Sequence, residues 1–368
     1  MKQTIKIINT LVIPDRVEDR IQPEIFYSFK DAAKRSKKDK PIQFKFYDFN
    51  PYHFPVEPPL KLAHSKQKIM DLCNQTVDTV IEIKRDMPKD KMLFDTILDF
   101  IKENKESPLS KLKKEVEKVL SWFSFLIIES TATTIVHPIF YKPEVITKTA
   151  AKAVADDIKD TLYGLLFIQA AFDQNKPIFA TCHGAQLGYL HAGGGLTKIF
   201  KEKNSPYSET YYARKNPHEG PEELWQIDVE LNARQRDDLN IFSTLKYPLP
   251  DIFKEPGEEK TERYINKDFR HTLAMTAPIP EKIEVLSFHP LSSKSRKDEK
   301  YEFRSHPAIS TEQVIKFKGL LKDIPVIDAF RYKTMLGFQY HPHYTYDDLD
   351  TSSIFDYFVN NIIAEVYK

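Results

Sequence analysis

The sequence predicts an α/β fold, an open and mostly parallel sheet flanked by helices, and three observations predict it. Strand-like runs at residues 5–13 and 42–49 flank a helical stretch at 24–35, an opening βαβ unit. Residues 153–173 carry Val154, Ile158, Leu162, Leu165, Leu166 and Phe172 on one helical face and lead directly into a short apolar strand at 177–181. Of the chain's 10 glycines, Gly184, Gly188, Gly193, Gly194 and Gly195 then fall together, marking backbone that turns tightly or is approached closely.

The remaining elements follow in chain order. From about residue 60 to 122 the pattern becomes long amphipathic segments separated by Pro88 and Pro108, with Ile69, Leu72, Cys73, Val77, Val80 and Ile81 at helical spacing. Three helices are expected there, more than one crossover needs, so residues 60–121 are taken as a helical insertion within a single domain spanning 1–368. Strand character resumes at 125–128. Residues 201–256 alternate charged and aromatic side chains, with only short strand candidates such as 224–229, and are expected to form an elaborated surface segment. Further strands are expected at 282–288, 326–330 and 335–340, the last two joined by a hairpin around 331–334, and a helix at 352–366 closes the chain.

Composition sets the outer bounds. A chain of 368 residues that is 41% hydrophobic and 12% aromatic can bury a substantial core. A net charge of +1 gives no global attraction to nucleic acid or to acidic membranes, and the lysine runs at 34–40 and 111–118 are expected to be solvated faces. Lys6, Asn9 and Thr10 interrupt the apolar character of the N-terminus, which fits a first strand better than a signal peptide. Nowhere do about 18 uncharged apolar residues run together, so no membrane-spanning helix is expected and a cytoplasmic location is the default. With two cysteines, Cys73 and Cys182, no disulfide is expected.

Cys182 sits where the strand at 177–181 meets the small-residue helix that follows. Such a strand-to-helix corner exposes a nucleophile. It also turns the next backbone N–H, with the positive end of the helix, towards developing negative charge. The run Thr181-Cys182-His183-Gly184-Ala185-Gln186, followed by Gly194-Gly195-Leu196, resembles the nucleophile elbow of class I glutamine amidotransferase-like proteins, most closely their γ-glutamyl hydrolase branch. A second signature lies near the C-terminus, where Met335-Leu336-Gly337-Phe338-Gln339-Tyr340-His341-Pro342-His343 resembles the Gly-x-Gln-x-His-Pro-Glu segment that delivers the catalytic histidine. Weaker likenesses are the strand at 125–128 with His137-Pro138-Ile139-Phe140-Tyr141, and Arg270-His271-Thr272 on a substrate-facing turn.

The resemblance implies a flavodoxin-like α/β fold and a cysteine-dependent hydrolase that cleaves a γ-glutamyl or related amide bond through a thioester. Cys182 would be the nucleophile and His341 its base. The backbone of His183, with Ser130 or Thr131, would supply the oxyanion donors, and Gln186, Tyr141 and His271 would contact substrate or support the elbow. Three departures stand out: Ala180 replaces a common glycine, residues 129–132 contain no glycine, and His343 stands where an acid is expected. His343, Asp347 and Asp348 are the candidates for orienting His341. The pair His341 and His343 also has metal-ligand character, with Asp347, Asp348 or Cys182 as further ligands, but alternate residues point the same way only if the strand continues past Pro342, so no metal and no cofactor are expected. Two other readings stay open: a glutaminase subunit that passes ammonia to a separate synthetase, and a catalytically weakened binding protein. The expected partners are a small-molecule or peptide-like amide substrate and, through residues 60–121, another protein or a second copy of the chain.

Overall fold

In the computed structural model, eleven strands among the described residues hydrogen-bond into one sheet. The structure describes residues 6–13, 23–36, 42–49, 60–88, 90–129, 136–141, 155–198, 242–245, 264–266, 273–276, 278–291, 324–339, 341–342, 354–363 and 366. The expected strand at 224–229 lies outside them.

The opening unit forms as its pattern requires. Strand β1 (Lys6–Ile13), helix α1 (Pro23–Arg35) and strand β2 (Ile42–Asp48) make a parallel pair with its crossover. Three helices, α2 (Leu60–Asp86), α3 (Leu93–Glu103) and α4 (Pro108–Leu120), then lead to β3 (Phe125–Ile128). Helix α5 (Ala155–Asp173) delivers β4 (Ile178–Thr181), and α6 (His183–His191) follows after one residue. The chain continues through β5 (Gly195–Lys198), β6 (Phe242–Leu245), β7 (Tyr264–Asn266), β8 (Leu273–Thr276), β9 (Glu284–Leu291), β10 (Ile324–Tyr332) and β11 (Met335–Phe338). A helical segment at 354–363 closes it.

Strand order explains where the site lies. β2-β1-β3-β4-β11 is parallel throughout, the doubly wound order 2-1-3-4-5 with β11 in fifth place. Beyond β11 the sheet continues antiparallel through β10, β9, β6 and β7, while β8 pairs with β10 and β5. The four residues of β3 and of β4 are all buried, as central strands covered on both faces should be.

Two cores follow from the alternation of side chains. Leu11, Ile13, Leu126, Ile128, Ile178 and Ala180 pack on the face covered by α2 to α6. Ile8, Val12, Phe125, Ile127, Phe179, Leu336 and Phe338 face α1 and the C-terminal helix. Phe29 of α1 is fully buried at the centre of that second layer, its ring 4.9–5.8 Å from those of Phe44, Phe125, Phe179, Phe355 and Phe358.

Local chemistry sets the helix ends and joins the helices. Ser107 caps α4 by accepting the Ser110 N–H at 3.2 Å, and Pro108 occupies the first turn, where no N–H is needed. Glu115, buried on α4, accepts from Ser65 at 2.6 Å and Lys68 at 2.8 Å on α2 and from Lys118 at 2.8 Å. Burial alone would raise its pKa. The hydrogen bonds from Lys118, Lys68 and Ser65, with the Lys68 charge, outweigh that and bring it to about 2.

That depressed value fixes a sign. The stabilisation from Glu115 is fully present above its unfolded value of 4.5 and is lost as pH falls towards about 2. Glu115→Gln is expected to lower stability at neutral pH by about 1–3 kcal/mol, because buried charge-assisted bonds are lost. In urea melts at pH 7, 4 and 3 the gap between parent and variant should narrow with acid. A gap independent of pH would exclude the carboxylate as its cause.

Candidate active site

The strand-to-helix corner is built by one residue in an unusual conformation. Cys182 lies between β4 and α6 with φ 45° and ψ −109°, a region that costs an L-residue about 1–3 kcal/mol. Its N–H donates to Phe338 O at 2.7 Å, continuing the β4–β11 ladder, and its carbonyl accepts the first helical bond, from Gln186 N, at 2.9 Å. The strained residue is therefore held from both sides. Ala180, by contrast, is not among the described residues with positive φ, so the replacement of glycine there leaves the strand unstrained.

Small residues bring α6 hard against the strand ends. A Cβ on Gly184 would lie 2.4 Å from Ile128 O, and one on Gly188 would lie 2.1 Å from Met335 Cε. The first turn of α6 therefore rests on the end of β3, and the second on β11. The His183 amide sits at the start of α6, where N–H groups point outward along the axis at its positive end.

The second signature arrives on the neighbouring strand. β11 pairs in parallel with β4, Phe338 opposite Thr181, so His341 follows the strand end beside the one that bears Cys182. Both residues lie at the C-terminal edge of the parallel sheet and both are buried, Cys182 5% and His341 6% exposed. The cysteine is a free thiol.

Beside Cys182 sits a residue to which the sequence analysis gave no role. Gln339 is fully buried, and its Nε2 lies 3.9 Å from Cys182 Sγ. Its Oε1 accepts from Gln186 Nε2 at 3.4 Å, and Gln186 Nε2 also donates to Leu273 O of β8 at 2.8 Å. The available signal was the glutamine of the Gly-x-Gln-x-His-Pro-Glu likeness itself: Gln339 is the first residue past β11 and two before His341. Gln186 is thereby brought into the elbow, tied to β8.

The remaining candidates divide between placed and outside. His137 starts the short 3-10 turn Pro138–Phe140, its Nδ1 accepting from Ile139 N at 3.1 Å and its N–H donating to Thr161 Oγ1 at 3.0 Å. Burial lowers its pKa to about 4, so the imidazole is neutral at physiological pH. Tyr141 ends that turn, half-buried against the helix-side core. Glu129, the residue after β3, is buried and donates its N–H to Ile13 O at 3.1 Å. Ser130, Thr131, His271, His343, Asp347 and Asp348 lie outside the described residues. Among the described residues no cluster of three His, Cys, Asp or Glu side chains is arranged to hold a metal. No helix there is long and apolar enough to cross a membrane.

Comparison with known proteins adds one family match. Residues 104–234 match the family model Peptidase C26, a stretch that includes Cys182 and ends before His341. No curated protein sequence matches the chain. Solved structures similar to it include the glutaminase domain of Trypanosoma brucei CTPS with bound acivicin, at 10% identity over 97% of this chain and 94% of that one, TM-score 0.40. They also include a glutamine amidotransferase from Thermotoga maritima, at 10% identity over 98% of both chains, TM-score 0.36. Likeness at that distance carries no argument about activity.

Proposed function

We propose that this chain is a class I glutamine amidotransferase-like protein and a cysteine-dependent amidohydrolase that cleaves a γ-glutamyl or related amide bond. The single observation that carries the reading is the strained Cys182 between β4 and α6. A structural cysteine has no need of such a conformation, whereas a nucleophile does, because the turn lifts the sulfur off the strand and sets the next amide beside it.

The chemistry follows from the parts. His341 takes the thiol proton, and the Cys182 sulfur adds to the amide carbonyl. The resulting oxyanion is met by the His183 N–H and by an amide of the segment at Ser130 and Thr131. The tetrahedral species collapses as His341 returns the proton to the leaving amine, which departs and leaves a thioester on Cys182. Water, deprotonated by His341, then releases the acid and the free thiol. Tyr141 and His271 are the residues proposed to border the substrate, and Gln186 the one that supports the elbow.

The test is alkylation of Cys182 across pH in the parent and in His341→Ala, read on the modified peptide by mass spectrometry. Reaction with a midpoint well below the free-thiol value of about 8.5, moved upward by His341→Ala, is the expected result. An ordinary midpoint, unmoved by the substitution, would sink the proposal. One observation favours a second reading: His343 occupies the place where the resemblance calls for an acid. A binding protein that keeps the elbow without turnover would show no release of amine from any γ-glutamyl amide. A glutaminase subunit would release ammonia from glutamine only with its synthetase present.

A further inference from the structure

The polar chain beneath the elbow has a direction, and that direction ends on the nucleophile. It begins at the Leu273 carbonyl, which can only accept, so the Gln186 amide must present Nε2 there, at 2.8 Å. The other hydrogen of the same Nε2 reaches Gln339 Oε1 at 3.4 Å. With its oxygen so engaged, Gln339 is left with Nε2 towards Cys182 Sγ, at 3.9 Å. The backbone of Gln339 is fixed as well, its N–H donating to Asp328 O at 2.6 Å where β10 breaks register with β9. Gln186 is 4% exposed and Gln339 is fully buried, so water does not compete for these groups.

We infer that Gln339 is the hydrogen-bond donor that stabilises the Cys182 thiolate, held in that orientation by Gln186 and the Leu273 carbonyl. The inference rests on the reading of Cys182 as a nucleophile. A thiol sulfur is a weak acceptor and a thiolate a strong one, so an N–H aimed at it stabilises the charged form over the neutral one. The amide is neutral at every working pH, so its contribution does not titrate away as that of an imidazolium would. This uncharged donor acts on the sulfur directly, independently of whatever orients His341. The titratable groups on the elements around Cys182 are His183 at the start of α6, Glu129 after β3, Asp328 on β10 and His341 after β11, and all are retained in the variants below.

Gln339→Met keeps the side-chain length and removes the donor. In the full-length protein it is expected to raise the midpoint of Cys182 alkylation by iodoacetamide by about one pH unit, with reaction roughly tenfold slower below it. Gln186→Met frees the orientation of Gln339 and should shift the midpoint in the same direction by less. If Gln339→Met does not fold, Gln339→Leu, which also removes the donor and adds no charge, is read in the same way and should raise the midpoint by a similar amount. A parent with a depressed midpoint that the folded Gln339 variant leaves unmoved overturns the inference while the hydrolase reading stands. A parent with an ordinary thiol midpoint overturns both.

Discussion

Cys182→Ala should reduce hydrolysis of a responsive γ-glutamyl amide by at least about 10⁴-fold, since loss of a nucleophile removes the covalent route entirely. Amine release measured against a panel of such amides checks it. Activity within tenfold of the parent would remove Cys182 from the mechanism. The same position yields a stability contrast that is independent of substrate. Cys182 has φ 45°, and alanine there keeps the strain while glycine does not. Cys182→Gly is therefore expected to be more stable than Cys182→Ala by about 1 kcal/mol, the reverse of the order in an ordinary helix or strand. Equal stability would mean that the corner relaxes at no cost in either variant. Inactive yet stabilised, the glycine variant would identify strain kept for function.

The second large effect belongs to Gly184. A methyl group there meets Ile128 O at 2.4 Å and the Ile128 side chain at 2.8 and 2.9 Å, so the backbone of β3 or of α6 has to move. Overpacking of this kind costs about 1–3 kcal/mol, and the upper end is expected because the obstacle is a backbone carbonyl. Displacing the first turn of α6 by about 1 Å also misplaces the nucleophile, worth on the order of 10²-fold in rate. Gly164→Ala is the control. Its Cβ would lie 2.5 Å from Leu187 Cδ1, the tip of a side chain that can rotate away. Thermal melts and Cys182 alkylation rates should separate the two, with Gly184→Ala impaired in both and Gly164→Ala mildly in the first alone. Similar losses in both variants would show that close approach at β3 has no special part in the elbow.

What was legible in the sequence was what is local. The pattern at 5–13, 24–35 and 42–49 became β1, α1 and β2 because one apolar face at a fixed period suffices to place each element. The corner at Cys182 was legible because a buried strand, one residue and a small-residue helix adjoin in the chain. Its positive φ was not, since that depends on the hydrogen bond from Cys182 N to Phe338 O on another strand. The antiparallel half of the sheet was least legible. β5 and β8 have four residues each, too few to establish a period, and they pair across a long stretch of sequence. The strand expected at 335–340 is assigned only to Phe338, although the Gln339 N–H still bonds to the Asp328 carbonyl in the β10–β11 register, and the Gln339 side chain reaches Cys182. Gln339 itself was legible in the Gly-x-Gln-x-His-Pro-Glu likeness, but its contacts were not, because its partners Gln186 and Cys182 are 153 and 157 residues away.

The place of β11 between β4 and β10 has a consequence for the order of assembly. A chain emerging from the ribosome completes β1 to β4 and α6 long before residue 335 is made. Until β11 docks, Cys182 N lacks the Phe338 carbonyl, so the unfavourable φ is held from the helix side alone and Gln339 and His341 are absent from the edge. On the proposed function, a nascent or truncated chain would thus carry an ordinary cysteine, its proposed donor and base arriving only when the last parallel strand closes the slot. Completion of the Cys182 environment and completion of the fold become a single event, set by the longest-range strand pairing beside that residue.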